Sequence, residues 1–333
     1  MNTVHIALVG YGNVARAFAR MLERQRDGIR SVYGVEPIIT AIVTGSHGGV
    51  VDPRGIDVTH LSDDQFNRNI DAAAVIEAGK YDVMVELTPT NAMTGQPATD
   101  HIRHALEQGK HVITANKGPL AWAYRELRDL AAEKGVAFLF ESTVMNGTPV
   151  FNMARETLMG CRIIEVRGIL NATTNFVLAR MEQGTSLEEA LEEGRCQGFV
   201  EADPSLDLDG WDPATKLSVL MNVLMDAHVT PLDIQRTGIR GVTRDDLDAA
   251  ARAGKRVKLV CHGWLDDAGQ PVGTVEPTLV DASDIASLVN GTMQFVTINA
   301  DIIGETTIVE HTFKPEIDRT AFGVMSDLLR MLK

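Results

Sequence analysis

The chain has few of the residues that mark several specialised classes of protein. Only three of its 333 residues are cysteines (Cys161, Cys196 and Cys261), and they are widely separated and odd in number. This spacing argues against a disulfide framework or a cysteine metal site and is typical of reduced thiols in the cytoplasm. No apolar run approaches the length of a membrane-spanning helix, and residues 1–9 run directly into a predicted strand without a basic n-region or a cleavage site. We therefore expect a cytoplasmic protein with no membrane partner.

Basic charge is also scarce. The chain has 31 lysines and arginines against 45 aspartates and glutamates, a formal net charge of -14, and no basic run. Nucleic acids and anionic membranes are negatively charged, so this balance argues against either as a partner. The length and the hydrophobic content of 44% suffice for two domains or one large one.

The N-terminus carries the first motif with a chemical meaning. An apolar run at residues 4–9 predicts a buried strand, and a helical pattern continues to about Arg26. Between them stands GYGNVA, in which Gly10 permits a tight turn, Gly12 admits a pyrophosphate and Ala15 allows close helix packing. This succession favours a site for NAD or NADP over a tight turn that binds nothing. The residues predicted there to contact the cofactor are Gly10, Gly12, Asn13 and Val14.

The rest of the first half alternates strands with helices. Strands are predicted at about 37–43, 82–87, 110–117 and 136–141, and a helix at 62–79, so the fold class is α/β with a Rossmann-type dinucleotide-binding domain. Thr88 follows the strand at 82–87, and Lys117 lies at the end of the strand at 110–117. Both positions are at the sheet edge where cofactors bind, so both residues are predicted to contact the cofactor.

The end of the second predicted strand bears on the choice between NAD and NADP. An acid there would accept a hydrogen bond from the ribose 2′-hydroxyl of NAD. The sequence has Thr44-Gly-Ser-His-Gly48 instead, so nothing repels a 2′-phosphate and NADP is at least tolerated. His47 and Arg54 are candidate phosphate contacts.

The second half contains an acidic loop that leads into an apolar helix. Glu201, Asp207 and Asp212 belong to this loop, and Lys216 follows as the only charged residue between Asp212 and Asp226. A surface ion pair between Asp212 and Lys216 is one interpretation, and an active-site lysine is the other. Alternating segments at about 256–265, 272–281 and 292–300 predict an antiparallel sheet. Together with the helices between them, these segments predict a second domain of the α+β class.

Four segments of the chain together resemble the homoserine dehydrogenase family. They are GYGNVA (10–15), TANKGPLA (114–121), GILNATTNF (168–176) and GFVEADPSLDLDGWDPATK (198–216). The resemblance covers nearly the whole chain. It implies NAD(P)-dependent interconversion of L-homoserine and L-aspartate 4-semialdehyde in threonine and methionine biosynthesis, by a homodimer without a C-terminal regulatory domain. We expect a dinucleotide-binding domain at residues 1–145, completed by about 305–333, and an α+β substrate-binding and dimerisation domain at 146–304.

The resemblance also implies roles for individual residues. Lys216 would lie at the reacting hydroxyl, Lys117 would be a second active-site lysine and Asp212 would hold Lys216. Glu201 and Asp207 would face the substrate ammonium. A monovalent cation such as sodium would be bound by Glu141 and by the backbone carbonyls of Val144, Asn146 and Thr148.

One segment departs from the family pattern. The family usually has a glycine- and alanine-rich turn after the last strand, whereas residues 310–319 contain no glycine. Two explanations of this departure are open: a longer loop that folds away, or a reshaped pocket that prefers another small hydroxy acid. A cofactor-binding sensor without turnover is a further alternative for the function. The protonation state of Lys216 is also open, because burial lowers the pKa of a lysine and neighbouring carboxylates raise it.

Overall fold

The computed structural model describes residues 2–311 and 316–333 and divides into two compact units. The first unit takes in the chain to Asn152 together with the C-terminal helix, and the second begins at Met153. Among the described residues, none of the helices has the length and apolar character that a membrane span requires.

The first unit contains a parallel sheet with helices in the connections. Its strands are β1 (Asn2–Val9), β2 (Val35–Thr44), β3 (Gly48–Val51), β4 (Val83–Glu86), β5 (His111–Thr114) and β6 (Phe138–Leu139). Its helices are α1 (Asn13–Tyr33), α2 (Ala72–Ala78), α3 (Ala98–Glu107) and α4 (Lys117–Lys134), with α5 (Val150–Thr157) crossing the boundary between the units. The helix that returns to this unit from the end of the chain is Glu316–Met331, which is α12 in chain order.

The order of these strands creates a site for a ligand. The order is β3-β2-β1-β4-β5-β6, with β3 antiparallel to β2 and the other pairs parallel. From β1 the chain continues toward one edge of the sheet, through β2 and β3, and from β4 it continues toward the other edge. Ligands of such sheets bind at the carboxyl ends of the strands, beside the point between β1 and β4 where this direction reverses. The predicted α/β fold of Rossmann type is confirmed.

The core of this unit explains why the C-terminal helix belongs to it. Ile6 and Leu8 of β1 and Phe18 of α1 are fully buried, as are Val324 and Leu328 of α12. Apolar residues of α12 thus complete the core beneath α1.

The helix predicted at 62–79 is only partly right, because it is interrupted in the middle. Only Asp63–Gln65, a short 3-10 turn, and α2 are helical. Between them Asn67 Oδ1 accepts a hydrogen bond from Asn69 N at 3.0 Å, and Asp71 caps α2 by accepting from Ala74 N. These short polar side chains bond to nearby backbone and so compete with a continuous helix.

The second unit contains a second, mainly antiparallel sheet. Its strands are β7 (Ile163–Ile169), β8 (Gln235–Arg236), β9 (Lys255–Leu265), β10 (Pro271–Asp281), β11 (Gln294–Ala300) and β12 (Gly304–Glu310). Its helices are α6 (Ala172–Glu182), α7 (Leu187–Gln197), α8 (Ser205–Leu208), α9 (Trp211–Met225), α10 (Arg244–Arg252) and α11 (Ile285–Leu288). The order is β12-β11-β7-β9-β10-β8, and only β8 is parallel to its neighbour.

The α9 helix packs directly on this sheet. A Cβ atom built on Gly263 of β9 would lie 2.6 Å from Met221 Sδ, so the glycine is what allows α9 to approach so closely. This contact brings the start of α9, with Asp212 and Lys216, beside the carboxyl end of β7, where Leu170 accepts a hydrogen bond from Lys216.

The glycine-free segment is only partly a connection. Glu310 is the buried last residue of β12, which pairs with β11 along its length, and Glu316 begins α12. The strand thus lies in the second unit, although the sequence assigned residues from about 305 to the first domain. Thr312–Pro315 lie outside the described residues. The reshaped-pocket hypothesis depends mainly on this part of the segment and therefore stays a prediction. A strand end and a helix start have no need of glycine.

Candidate functional site

A cleft of about 1040 Å³ opens at the carboxyl ends of the first sheet. It lies within the first unit and is lined by the turns that follow β1, β2 and β4 and by the start of α3. The predicted cofactor residues that line it are Gly10, Gly12, Asn13, Val14 and Thr88.

The turn after β1 is shaped for a pyrophosphate. Gly10 has a φ of 93°, and a Cβ atom there would lie 2.6 Å from the Leu87 carbonyl oxygen. Gly12 faces open space, and α1 begins after it with no side-chain cap and no acid in its first turn. Uncapped backbone N–H groups at a helix start attract phosphate. The residues present therefore fit a dinucleotide.

The turn after β2 forms one wall of the same cleft. Ser46, His47 and Arg68 line it, but Arg54, the other phosphate contact expected from sequence, does not. Arg54 pairs with Asp52 at 3.0 Å, and its side chain is 90% exposed. Arg68 was missed because the segment before α2 was predicted to be helical.

A buried network ties Thr88 to the start of the helix that carries Lys117. Glu86, fully buried, accepts hydrogen bonds from Thr88 N at 3.0 Å and from Thr114 Oγ1 at 3.1 Å. Asn116 donates to the Thr88 carbonyl oxygen at 3.1 Å and caps α4, whose first residue is Lys117. The sequence placed Lys117 at the end of a strand, whereas the structure places it at the start of a helix. An acid at the end of an apolar strand was the available signal for Glu86.

The 141–148 turn has an unusual backbone. Glu141 is buried, and its carboxylate accepts hydrogen bonds from the backbone N–H groups of Phe151 and Asn152 at 2.9 and 2.7 Å, at the start of α5. Asn146 has a φ of 55°, in the left-handed region that asparagine tolerates. Val144 and Thr148 are buried.

The ligands expected for a cation in this turn are mainly backbone carbonyl oxygens. The described part of the chain contains no group of three or more His, Cys, Asp or Glu side chains that could hold a metal ion. The carbonyl site therefore stays a prediction.

Lys216 is the centre of a hydrogen-bonded cluster in the second unit. Its Nζ lies 2.8 Å from Asp212 Oδ2 and donates to the Leu170 carbonyl oxygen at 2.9 Å. Asn171 Nδ2 donates to Asp207 at 2.6 Å and to Asp212 at 2.9 Å. Only 17% of the Lys216 side chain and 14% of the Asp212 side chain are exposed, so this is no ordinary surface pair.

Opposing effects act on the pKa of Lys216. Burial is the largest and would by itself lower the pKa, because the ammonium loses its hydration. The charge of Asp212, its hydrogen bond and then the charge of Asp207 act in the opposite sense and together prevail, so the pKa of Lys216 is raised. The question that the sequence left open is decided by these carboxylates.

The acids of the loop fall into separate groups. Asp203 accepts from Ser205 N at 3.0 Å and Asp209 pairs with Arg240, so both stabilise the loop itself. Asp207 and Asp212 reach the Lys216 cluster. Glu201 is exposed, and within the described parts of the chain it forms no hydrogen bond.

Asn171 is the residue of the Lys216 cluster that sequence reasoning missed. It lies in the quoted GILNATTNF segment, but no role was assigned to it. Its Oδ1 caps α6 by accepting from Thr174 N at 2.8 Å, which leaves Nδ2 free to bridge the two aspartates. An asparagine directly before a helical pattern was a signal for the cap and not for the bridge.

Comparison with protein families gives two matches that follow one another along the chain. Residues 10–141 match the family described as homoserine dehydrogenase, NAD binding domain, and residues 149–329 match the family described as homoserine dehydrogenase. The second match alone covers more than half of the chain.

Named relatives match over nearly their whole length. The NAD(+)-dependent homoserine dehydrogenase of Pseudomonas canavaninivorans is 34% identical, over 99% of this chain and 97% of the relative. The homoserine dehydrogenase of Methanocaldococcus jannaschii is 35% identical, over 98% of each.

Solved structures agree with these matches. A putative homoserine dehydrogenase from Archaeoglobus fulgidus has a TM-score of 0.86 at 30% identity, over 98% of both chains. A hyperthermophilic archaeal homoserine dehydrogenase in complex with NADPH has a TM-score of 0.79 at 28% identity, over 98% of this chain and 97% of that one. The chain belongs to the homoserine dehydrogenase family and is an NAD(P)-dependent oxidoreductase.

Proposed function

We propose that the protein interconverts L-homoserine and L-aspartate 4-semialdehyde, with Lys216 exchanging the proton at the reacting oxygen. The observation that carries this proposal is the buried Lys216–Asp212–Asn171 cluster in a member of this family. The nicotinamide, when bound, supplies or accepts the hydride. A hydroxy-acid dehydrogenase of other specificity and a sensor without turnover are not favoured by the full-length relatives.

Lys216 is suited to donate a proton. An ammonium has three N–H donors, and two are directed at Asp212 and Leu170. The third is available for the carbonyl oxygen of the semialdehyde. Because the raised pKa keeps the lysine protonated, reduction of the aldehyde needs no prior change of state. Oxidation of homoserine requires the lysine to lose its proton first and is therefore favoured by alkaline pH.

Fixed charges would orient the zwitterionic substrate. We assign Glu201 and Asp207 to the ammonium, Asp212 to holding Lys216, and Lys117 as the second active-site lysine. In the cofactor site Gly10, Gly12, Asn13, Val14, Thr88 and Lys117 would contact the dinucleotide. The cleft geometry supports the first five, and the capped start of α4 supports Lys117.

Further parts of the proposal rest on the family resemblance and on local geometry. The first unit would bind the cofactor, and the second would bind the substrate and form a homodimer. The turn containing Glu141, Val144, Asn146 and Thr148 would bind a monovalent cation such as sodium, a role supported by the left-handed backbone at Asn146. Three free cysteines support a cytoplasmic location.

Replacement of Lys216 tests the proposal. In Lys216→Ala we expect kcat with homoserine and NADP to fall by about a hundredfold or more, because the proton donor is lost. Nicotinamide absorbance reports turnover, and titration with the reduced cofactor reports binding, which should not change. The matched control is Lys255→Ala, which removes a lysine paired with Asp281 at the surface of the same unit. A folded Lys216→Ala protein with nearly normal kcat would return this lysine to a structural role.

A further inference from the structure

The start of α9 is held by a stacked arginine. The helix begins at Trp211, directly after Gly210, which has a φ of 80° and no side chain with which to cap the helix. The guanidinium of Arg236 lies over the Trp211 indole, with Cζ 3.4 Å from the ring centroid. Tryptophan is the most favourable aromatic partner of a cation. The stack thus supplies a side-chain contact at a helix end that has no N-cap side chain.

Arg236 reaches Trp211 from a well-anchored strand. It is the last residue of β8 and pairs with Val275 of β10, and Thr237 N donates to the Val275 carbonyl oxygen at 2.7 Å. A Cβ atom built on Gly210 would lie 3.1 Å from Arg236 Cγ, so the glycine leaves room for the arginine stem. The guanidinium is therefore presented to the indole from the edge of the second sheet.

The contact with the ring, and not an ion pair, explains the position of Arg236. Asp209, the acid whose charge acts on Arg236, forms its ion pair with Arg240. Among the residues that the structure describes, Arg236 forms no ion pair with a carboxylate. A cation beside a helix N-terminus is unfavourable by its charge, since that end carries a partial positive charge. A planar guanidinium, however, stacks well on an indole.

The first turn of α9 carries the acid that holds Lys216. Asp212 directly follows Trp211 and lies four residues before Lys216, at 2.8 Å from its Nζ. Asn171 Nδ2 donates to the same carboxylate at 2.9 Å. Both contacts require the first turn to stay helical, because its unwinding would carry Asp212 away from the lysine.

Arg236 has no direct electrostatic effect on the lysine. The groups whose charges act on Lys216 are Asp212, Asp207 and the buried thiol of Cys261. An effect of Arg236 on Lys216 must therefore pass through the position of the aspartates.

We propose that Arg236 is a positioning residue for catalysis, which holds the first turn of α9 through Trp211 and so keeps Asp212 against Lys216. The inference rests on the proposed function in requiring that Lys216 exchanges the proton. Positioning and direct charge predict opposite results when Arg236 is removed. Displacement of Asp212 lowers the pKa of Lys216, whereas removal of a nearby cation would raise it.

The pH profile of kcat for homoserine oxidation, followed at the nicotinamide absorbance, tests the proposal. In Arg236→Ala we expect kcat to fall by about tenfold, because the proton-exchanging lysine is less well placed. The alkaline rise should move to lower pH, as we expect for Asp212→Asn, and Kd for the reduced cofactor should not change. Trp211→Leu should give the same shift, and Arg236→Lys, which keeps the charge without the planar stack, should not restore the native profile.

The matched control is Arg252→Ala, which removes an exposed arginine at the end of α10 in the same unit and should leave the profile unchanged. In the Asp212→Asn background, Arg236→Ala should cause no further shift, because both changes act on one contact. Urea unfolding identifies a variant that fails to fold, and Arg236→Lys and Trp211→Leu then provide the same test.

Two results would contradict the proposal in different ways. A profile that is unmoved or moves to higher pH in folded Arg236→Ala, while Asp212→Asn moves it to lower pH, would overturn the positioning role and leave the proposed function intact. A profile that does not move in Asp212→Asn either would remove the proposed role of Lys216, and the inference with it.

Discussion

At the scale of single residues, Asp212 decides the protonation state of Lys216. Burial acts to lower the pKa of this lysine, and Asp212 is the largest of the opposing influences. The thiol of Cys261 is fully buried, and burial raises its pKa to about 12, so the thiol contributes no negative charge at neutral pH. Asp212 and Asp207 are therefore the negative charges that raise the pKa of Lys216 at neutral pH.

Removal of this carboxylate charge should shift the pH dependence of catalysis. In Asp212→Asn the opposition to burial weakens, so the pKa of Lys216 falls and the alkaline rise in kcat for homoserine oxidation moves to lower pH. The pH profile of kcat measures the shift. Asp209→Asn is the control, because Asp209 pairs with Arg240 and is not among the groups that act on Lys216. An unmoved profile in Asp212→Asn would mean that another group titrates.

Asp207 offers a test of substrate orientation. If it faces the substrate ammonium, Asp207→Asn should lower kcat/KM for homoserine by about tenfold to a hundredfold, with little effect on 4-hydroxybutyrate, which lacks the amino group. Asp203→Asn is the matched control, because this acid of the same loop accepts from Ser205 N. Equal losses on both substrates would show that Asp207 acts only through Asn171 and the loop.

At the scale of elements, Lys258 links β9 to α6 and to the segment after α11 through hydrogen bonds. It is fully buried, and its Nζ donates to Asn175 of α6 at 3.0 Å and to the Val289 carbonyl oxygen after α11 at 2.8 Å. Despite these acceptors, burial lowers the pKa of Lys258 from 10.5 to about 8. The folded protein thus holds a buried lysine that loses its proton more readily than an exposed one.

The lowered pKa of Lys258 makes the free energy of unfolding depend on pH. Below pH 8 Lys258 is protonated in both the folded and the unfolded state, and the folded state carries the full free-energy cost of burying the charge. Between pH 8 and 10.5 the unfolded state binds more protons than the folded state, so the free energy of unfolding rises with pH. The contribution of Lys258 should become more favourable by about 3 kcal/mol over this range. Urea unfolding of the native protein and of Lys258→Met at several pH values measures the difference. Lys255→Met, on the same strand but at the surface, should show no such divergence, and parallel curves for Lys258→Met would contradict the prediction.

At the scale of the whole molecule, the second sheet has one face for α9 and one polar face. Gly263 faces α9, so His262 lies on the opposite side, level with Arg167, Thr297 and Thr307 on the paired strands. These side chains form a row across the strands. The Oγ1 atoms of Thr297 and Thr307 are 2.8 Å apart, and Arg167 forms an ion pair with Asp284. Such a surface suits the homodimer that we propose.

The expected solution mass is twice that of the 36.2 kDa chain. Thr307→Arg places a large cation on the exposed edge of the polar face and should shift the mass to that of the monomer, because like charges would meet across a two-fold interface. Light scattering after size-exclusion chromatography gives the mass. Glu188→Arg, at an exposed position of α7, should leave the dimer intact. A native protein that elutes as a monomer would refute the proposal.

Local patterns in the amino-acid sequence account for the features that depend on residues close together in the chain. The succession of β1, the glycine turn and α1 follows from a short apolar run and two glycines. The Asp212–Lys216 pair follows from their spacing on one helix turn. Most strands of both sheets also follow from local patterns, and so does the class of fold.

Features that depend on distant residues and on burial follow from the tertiary fold. Asn171 bridges acids that are 36 and 41 positions away, and Arg68 reaches the β2 turn through the pairing of Gly49 with Asn67. The Glu141 carboxylate is committed to the start of α5. The balance of pKa effects on Lys216 depends on how deeply the lysine is buried and which carboxylates surround it. Strand order and packing set these distances, and a local pattern carries no information about either.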